Sequence, residues 1–397
     1  MWLGGLVVGC MGINSSPRHL VIIEVDGLRS DVLDEDPGDA QVVPNLDALS
    51  SVGVRFDAFS PSGSTASAVA SLWTGLDPRR HGLATDDHRL SPQATTLAQV
   101  LSPAGFHTGL VVGGGFAPSS ALARGFDHVD GGEDRLSATA VTDAALGWLT
   151  TQKGANGFED RLYLHAQYSE AIPALREDGH PKTDADRYEM LLQVVDDEVR
   201  RLIEGLDEKR LTQNALIVLV SARGASVDPH GDRVDGAASL FDDRLAVPMV
   251  VRLPGVDRGR RVKGLVSTTD MVPTVLDALG VGAGPMQGRS AWRAVLNRSG
   301  WEPRTVVFAE SCEGEADVRP PRWVNDDRWL AARTETHKLL WHPPSGAMEL
   351  YDLAADPNEL WDALDVSSER EVIARNLFTP LHAWWYDDRY PDLSKRP

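Results

Sequence analysis

The stretch HLVIIEVD, residues 19–26, is an apolar, β-branched run that ends on a carboxylate. Such a continuous run marks a strand buried on both faces, as in a parallel sheet covered by helices. Val43-Pro-Asn-Leu-Asp-Ala-Leu-Ser50 follows, opening a helix at Pro44-Asn45 with apolar residues at helical spacing. Thr96–Ala104 reads as helix and Gly109–Gly113 as strand, with Tyr163–Ala166 a third strand. Tyr188–Leu206 repeats Leu and Val at three- and four-residue intervals, an amphipathic helix. Leu216–Val220 and Pro248–Leu253 are again apolar strands, and Asp270–Leu279 is a helix. Strands alternating with helices imply a mainly parallel sheet, an α/β/α sandwich over 19–303. After Arg304 the texture shortens to Val306–Ala309, Trp329–Arg333, Lys338–Trp341 and Glu349–Leu353. These predict a small antiparallel sheet in 304–397, closed by a helix around Leu381–Tyr386, with Tyr351 half buried.

The chain has 397 residues, 42 % hydrophobic and 24 % charged, enough for one large core and a smaller unit. A net charge of −19, spread along the whole length, disfavours nucleic acid and anionic membrane surfaces as partners. The two cysteines, Cys10 and Cys312, form no C-x-x-C pair, so neither a zinc site nor a disulfide framework is indicated. Residues 1–18 read as a leader and tether. Their first seventeen residues carry no side-chain charge, and Val7-Val8-Gly9-Cys10 resembles a bacterial lipobox. That points to the cell envelope or periplasm, with membrane contact only through a lipid on Cys10; the alternative is an ordinary cytoplasmic N-terminus. No run reaches the roughly 20 apolar residues that span a bilayer.

The strand 216–220 ends in Val220-Ser-Ala-Arg-Gly-Ala-Ser-Val-Asp-Pro-His-Gly231, a polar loop at a position where α/β folds place their chemistry. This loop and several other segments resemble the sulfatase family of the alkaline-phosphatase superfamily. Ile23-Glu-Val-Asp26-Gly-Leu-Arg29-Ser-Asp31 is similar to its first motif, whose aspartate binds a divalent metal. Ser64-Thr65-Ala-Ser-Ala-Val-Ala-Ser71-Leu-Trp-Thr74-Gly75 through Pro78-Arg-Arg-His81-Gly82 resembles its nucleophile helix. Asp270-Met-Val-Pro273 and Leu350-Tyr-Asp-Leu-Ala-Ala-Asp-Pro357-Asn-Glu359 complete the order. The resemblance implies a nucleophile at a helix N-terminus, held on a metal that polarises a sulfate or phosphate ester.

Residue by residue, the implied chemistry is depleted. Thr65 takes the nucleophile position, but Thr65-Ala-Ser-Ala-Val69 lacks the proline and arginine that accompany maturation to formylglycine. Its other role is that of a helix cap. In the family the 221 loop reads Ser-Asp-His-Gly-Glu; here Ser221 and Gly224 keep register while the metal ligands fall on Ala222 and Arg223, and Ala225 replaces the acid. Tyr168-Ser-Glu-Ala-Ile172 lacks the family's histidine, Asp235-Gly236 lacks its basic residue, and Ala246 replaces a common arginine. A divalent ion 4 Å from the Arg223 guanidinium would meet about 8 kcal/mol of repulsion at an effective dielectric near 20. Asp26, the one retained ligand position, would have to offset it.

Two readings follow. The first is a non-catalytic, cofactor-free protein whose pocket, with Asp26, Thr65, Arg223 and His230, grips a sulfated, phosphorylated or carboxylate ligand. The second is an active sulfuric-ester or phospho-ester hydrolase that uses Thr65 and a rebuilt site for one Ca²⁺ or Mg²⁺ among Glu24, Asp26, Asp228, His230 and Asp232. With the metal gone, Arg223 is expected to reach Asp26 as a built-in cation.

Overall fold

The computed structural model describes residues 16–34, 41–83, 90–114, 121–132, 135–153, 158, 160–170, 184–227, 240–311, 328–364 and 367–386. Cys10, read as part of a lipobox-like stretch, and Asp228, His230, Asp232 and Asp235-Gly236 lie outside them.

Eight strands form the main sheet: β1 (His19–Val25), β2 (Val54–Phe59), β3 (Phe106–Val112), β4 (His128–Gly131), β5 (Arg161–Tyr168), β6 (Ala215–Val220), β7 (Ala246–Arg252) and β8 (Arg260–Ser267). Their order is β4-β3-β5-β1-β6-β7-β2-β8. β7 runs against both β6 and β2, and the other neighbouring pairs are parallel. β1 is buried along its whole length, as its unbroken apolar run requires.

Helices cover both faces. The longer ones are α1 (Pro44–Val52), α2 (Thr65–Thr74), α3 (Ala138–Thr151), α4 (Asp184–Glu208) and α5 (Met271–Leu279) on the main sheet, with α6 (Ser368–Trp385) on a second, smaller sheet. Leu20 and Ile22 point into the core shared with α2 and α5, whereas Val21, Ile23 and Val25 point into the one shared with α1, α3 and α4. The period-2 alternation of β1 thus serves two apolar layers. α1 starts at Pro44, and Asp196 of α4 accepts from the backbone N–H groups of Asn45 (3.0 Å) and Leu46 (2.8 Å). A carboxylate from a neighbouring helix therefore caps the first turn, satisfying donors that have no partner within the helix.

The second sheet is antiparallel, β12-β11-β10-β9, from β9 (Val307–Glu310), β10 (Leu330–Arg333), β11 (His337–His342) and β12 (Ala347–Asp352). Two features differ from the sequence reading. α6 starts at Ser368, thirteen residues before the predicted start, because Ala374, Leu377, Leu381 and Trp385 repeat at helical spacing behind a polar front. Ser367 caps it by accepting from Arg370 N–H. Tyr351 is buried, not half buried: it packs edge-on against Phe241 at 5.7 Å and donates to Glu349 Oε2 at 2.6 Å. Phe59 and Leu265 of the main sheet share an apolar cluster with Ala331, Leu340 and Tyr351 of the small one.

The two sheets also meet in a polar knot. Lys338 of β11 is fully buried, and its Nζ lies 2.5 Å from Asp242 Oδ1 and 2.7 Å from Glu359 Oε1. The same ammonium donates to the Leu240 carbonyl at 2.9 Å. Arg333 adds a second cation on Asp242 at 2.8 Å, and Glu359 accepts from Asp242 N–H at 2.6 Å. A lysine with no water must be paired and hydrogen-bonded on several sides, and this one is.

Candidate functional site

The parallel strands end on one side of the sheet, and there the expected residues gather. β1 and β6 are neighbours in register, Glu24 opposite Val220, and beyond them Gly27 bridges to Gly224. Gly27 N–H donates to the Arg223 carbonyl at 3.1 Å, and Asp26 N–H to the Tyr168 carbonyl at 2.8 Å. Asp26 (1 % exposed) and Arg223 (5 %) thus leave adjacent chain segments and are both buried. Gly224 has to be glycine: a Cβ there would lie 2.2 Å from the Asp243 carbonyl oxygen. Ala222 is fully buried and offers no ligand atom.

Thr65 is the first residue of α2. The preceding Ser64 is extended and makes no side-chain cap. The cap role read for Thr65 is therefore not the one it fills. Its Oγ1 instead accepts from Arg223 Nε–H at 2.8 Å, and Arg223 Nη1 donates to the Gly224 carbonyl at 3.1 Å. Arg223 thus hydrogen-bonds the nucleophile position and its own loop, and Asp26 is buried on the adjacent segment. A guanidinium is a planar fork of donors with no acceptor, so it fits beside a hydroxyl oxygen and repels a metal cation.

Glu24, expected among the oxygen ligands of a rebuilt site, lies one layer deeper. It is fully buried and accepts from Trp73 Nε1–H (2.8 Å) and Gln167 Nε2–H (3.4 Å), with His165 Nε2 at 2.7 Å. His165 Nδ1 is 2.9 Å from the Tyr163 hydroxyl. The protonation that fits these contacts has Tyr163 donating to Nδ1 and Nε2–H donating to Glu24. Burial first, then the Glu24 charge, raises the Tyr163 hydroxyl well above its usual pKa, so it stays a donor. The sequence reading missed this network. Its signal was alternation: Tyr163, His165 and Gln167 share one face of β5, the face on which Glu24 stands in β1.

The helix that carries Thr65 is fixed at its other end by His81. His81 Nε2 lies 3.0 Å from Ser71 Oγ, and Nδ1 accepts from Leu83 N–H at 3.1 Å. Burial lowers the His81 pKa to about 3, so the ring is neutral. The segment expected to lack the family's histidine serves α3 instead, where Glu170 accepts from Ala138 N–H at 2.5 Å in the first turn.

The sulfatase family profile matches residues 18–281, two-thirds of the chain. The chain belongs to the sulfatase family. A second profile, N-sulphoglucosamine sulphohydrolase, C-terminal, matches residues 237–383. An uncharacterized sulfatase of Escherichia coli strain K12, YidJ, is 27 % identical over 54 % of this chain and 40 % of its own length. The inner membrane protein YejM of Salmonella typhi is 23 % identical over 66 % of this chain and 42 % of its own. The chain thus spans about two-fifths of the length of these curated relatives. The phosphonate monoester hydrolase of Silicibacter pomeroyi superposes with a TM-score of 0.76 at 18 % identity, covering 94 % of this chain and 96 % of that one. At that identity the likeness speaks for the fold.

Among the described residues, those at the family's ligand positions do not fit the sulfatase metal. Among the described residues no group of three His, Cys, Asp or Glu side chains comes together. Ala222 and Arg223 stand where the family places ligands, and the guanidinium is anchored there. Threonine at 65 cannot mature to formylglycine.

Proposed function

We propose that this sulfatase-fold protein is non-catalytic and binds an anionic ligand or partner, sulfated, phosphorylated or carboxylate, at a centre where an arginine stands in for the cation. The observation behind the reading is the buried hydrogen bond from Arg223 Nε to Thr65 Oγ1. A nucleophile attacks with an oxygen lone pair after losing its proton to a base. Here a lone pair is engaged by a charged donor, an interaction of about 1.5–3 kcal/mol. The same atoms suit an oxyanion. The guanidinium supplies charge and directed donors, and the uncapped start of α2 adds the positive end of a ten-residue helix.

A hydrolase reading also has one observation in its favour: Thr65 is the first residue of α2 and is not used as a cap. Turnover separates the two. Purified protein is assayed with aryl sulfates and phosphate mono- and diesters, its Ca²⁺ and Mg²⁺ content is measured, and inorganic sulfate and phosphate are titrated calorimetrically. We expect no turnover, no stoichiometric metal, and saturable anion binding that Arg223→Gln removes. Metal-dependent turnover abolished by Thr65→Ala would overturn the reading and restore the nucleophile.

The proposed location is the bacterial cell envelope, supported by the lipobox-like Val7-Val8-Gly9-Cys10 and by the inner-membrane relative. No helix of the described residues is long and apolar enough to cross a membrane. Palmitate labelling in a bacterial host, lost in Cys10→Ser, would support an anchor; an unlabelled protein with intact Met1 would refute it.

A further inference from the structure

Averaged along the sequence, a net charge of −19 argues against an anionic surface as partner. The fold sorts that charge. The parallel strands begin at the edge of the main sheet opposite the Thr65 centre, and β7, running the other way, ends there. Arg161 opens β5, Arg252 closes β7, and Arg260 opens β8 with Arg258 two residues ahead of it. Lys209 and Arg210 lie between α4 and β6, and Lys153 lies between α3 and β5. Arg293, in the short helix Trp292–Val295, and Arg298 stand beside Arg260, whose Nη2 donates to the Ala294 and Val295 carbonyls.

None of these cations bonds a carboxylate among the described residues. Arg161 Nη2 donates to the Leu279 carbonyl at 3.0 Å, Arg293 Nη1 to the Ser299 carbonyl at 3.1 Å and Lys209 Nζ to the Thr150 hydroxyl at 3.1 Å. Lys153, Arg210, Arg258 and Arg298 are exposed, and their side chains bond no described residue. Elsewhere Arg29, Arg200, Arg201, Arg304, Arg333 and Arg370 each meet an acid. The edge has fewer acids than cations among the described residues. Asp160 lies 3.6 Å from His107 Nε2 and Asp207 accepts from the Thr212 hydroxyl, which leaves Glu208, Asp257, Asp277 and Glu302.

From β5 to β8 this edge is about 24 Å wide at the usual strand spacing, and the length of β1 holds it about 23 Å from the Thr65 centre. The loop with Arg258 and Arg260 is fixed to the end of α1. Gly259 N–H donates to the Ser51 carbonyl at 2.7 Å, and a Cβ there would lie 2.1 Å from the Gly53 carbonyl oxygen. The chain enters at the same edge, where Arg18 N–H donates to the Asn214 carbonyl at 2.8 Å. A lipid on Cys10 leaves six residues to Ser16, about 21 Å at full extension, so such an anchor brings this edge to the bilayer first. Salt screens the attraction beyond about 8 Å, a distance shorter than β1, so acids on the far side of the sheet do not cancel it. We propose that the amino edge of the main sheet lies on anionic phospholipid headgroups and turns the Thr65 centre away from the membrane. The setting rests on the envelope location proposed above.

The test couples Cys10 of the full, unlipidated chain, carrying Cys312→Ser, to a maleimide lipid that replaces any natural anchor. The vesicles are phosphatidylcholine alone, or phosphatidylcholine with one-third phosphatidylglycerol. Reaction of arginines with phenylglyoxal is followed by peptide mass spectrometry. On the anionic vesicles Arg210, Arg258 and Arg298 should react about threefold more slowly than on the neutral ones, and Arg375, exposed on α6, at the same rate. About 0.5 M salt should erase the difference. Arg258→Glu with Arg298→Glu, both at exposed side chains, should erase the protection of Arg210. Equal rates on the two vesicles, protection that includes Arg375, or a difference that survives salt would overturn the proposal. Equal protection by double-stranded DNA added to the neutral vesicles would overturn it too, by making the edge a site for polyanions at large. Absent palmitate labelling of Cys10 with protection intact would sink the anchor and leave the edge; labelling without protection would do the reverse.

Discussion

Replacing Lys338 by methionine keeps the length of the side chain and removes the charge. The ammonium it deletes is fully buried and serves three acceptors: Asp242, Glu359 and the Leu240 carbonyl. Asp242 keeps Arg333 as a partner at 2.8 Å. Glu359 keeps the Asp242 N–H, a neutral donor, so most of the loss falls on it. Breaking a buried pair by removing one member costs about 3–5 kcal/mol, because a charge is left without compensation. That cost has a pH signature. Burial, opposed by Lys338 and reinforced by the Asp242 charge, already raises the Glu359 pKa to about 7. A carboxyl with a raised folded pKa favours the fold when protonated, so its contribution declines as pH rises from its unfolded value toward 7. Without Lys338 the folded pKa rises further, and the penalty of ionising Glu359 extends to higher pH. Urea unfolding followed by tryptophan fluorescence should therefore show Lys338→Met destabilised by about 4 kcal/mol at pH 8 and by about half of that at pH 6. Adding Glu359→Gln to Lys338→Met should recover part of the loss at pH 8. A cost below about 1 kcal/mol at pH 8, or one independent of pH, would refute the argument that this knot is a paired buried charge.

The buried imidazoles make a second prediction, with the opposite sign. Burial lowers His81 to about 3, and burial with Arg18 and Arg161 lowers His19 to about 4. Both stabilise the fold fully above the unfolded value near 6.5, and that stability is lost as pH falls through the window below it. The unfolding free energy should drop by on the order of 3 kcal/mol per buried histidine by pH 4, and His81→Gln should flatten the curve; parallel curves would exclude His81 as a cause. Trp73→Phe keeps an aromatic ring and deletes the 2.8 Å donor to Glu24, at a cost of about 1–3 kcal/mol in thermal or urea unfolding. A change under about 0.5 kcal/mol would mean that water replaces the indole N–H.

Much of the fold was legible because its strands are apolar runs and its helices repeat at 3.6 residues. HLVIIEVD is buried end to end, and a run buried on both faces needs helices on both sides. Tertiary contacts decided what the sequence reading missed. α6 hides its apolar stripe behind Ser-Glu-Arg-Glu, and it runs through Pro380. Tyr351 looked amphipathic, yet Phe241, more than a hundred residues away, covers it. In the site, Asp26, Thr65 and Arg223 were named from the family resemblance, whose motifs assign a role to each of these positions. The bond from Arg223 to Thr65 was not foreseen, because a flexible guanidinium has five donors and which acceptors they reach lies in side-chain geometry. The Glu24–His165 network was missed because one histidine in an apolar run reads as core until its cross-strand neighbour is known.

The join between Gly27 and Gly224 has a wider consequence. It is made by main-chain atoms, with Gly27 N–H on the Arg223 carbonyl and Asp26 N–H on the Tyr168 carbonyl. Those bonds are indifferent to what side chains stand at 26, 222 and 223. A metalloprotein whose ligands also hold it folded unfolds when a ligand is lost; these bonds join the strand ends through main-chain atoms alone. Substitutions can therefore accumulate here one at a time, each intermediate still folded and each presenting a different set of charges on the same frame. Such a frame outlives any one chemistry mounted on it, and lineages can abandon or reacquire a reaction without first rebuilding the protein.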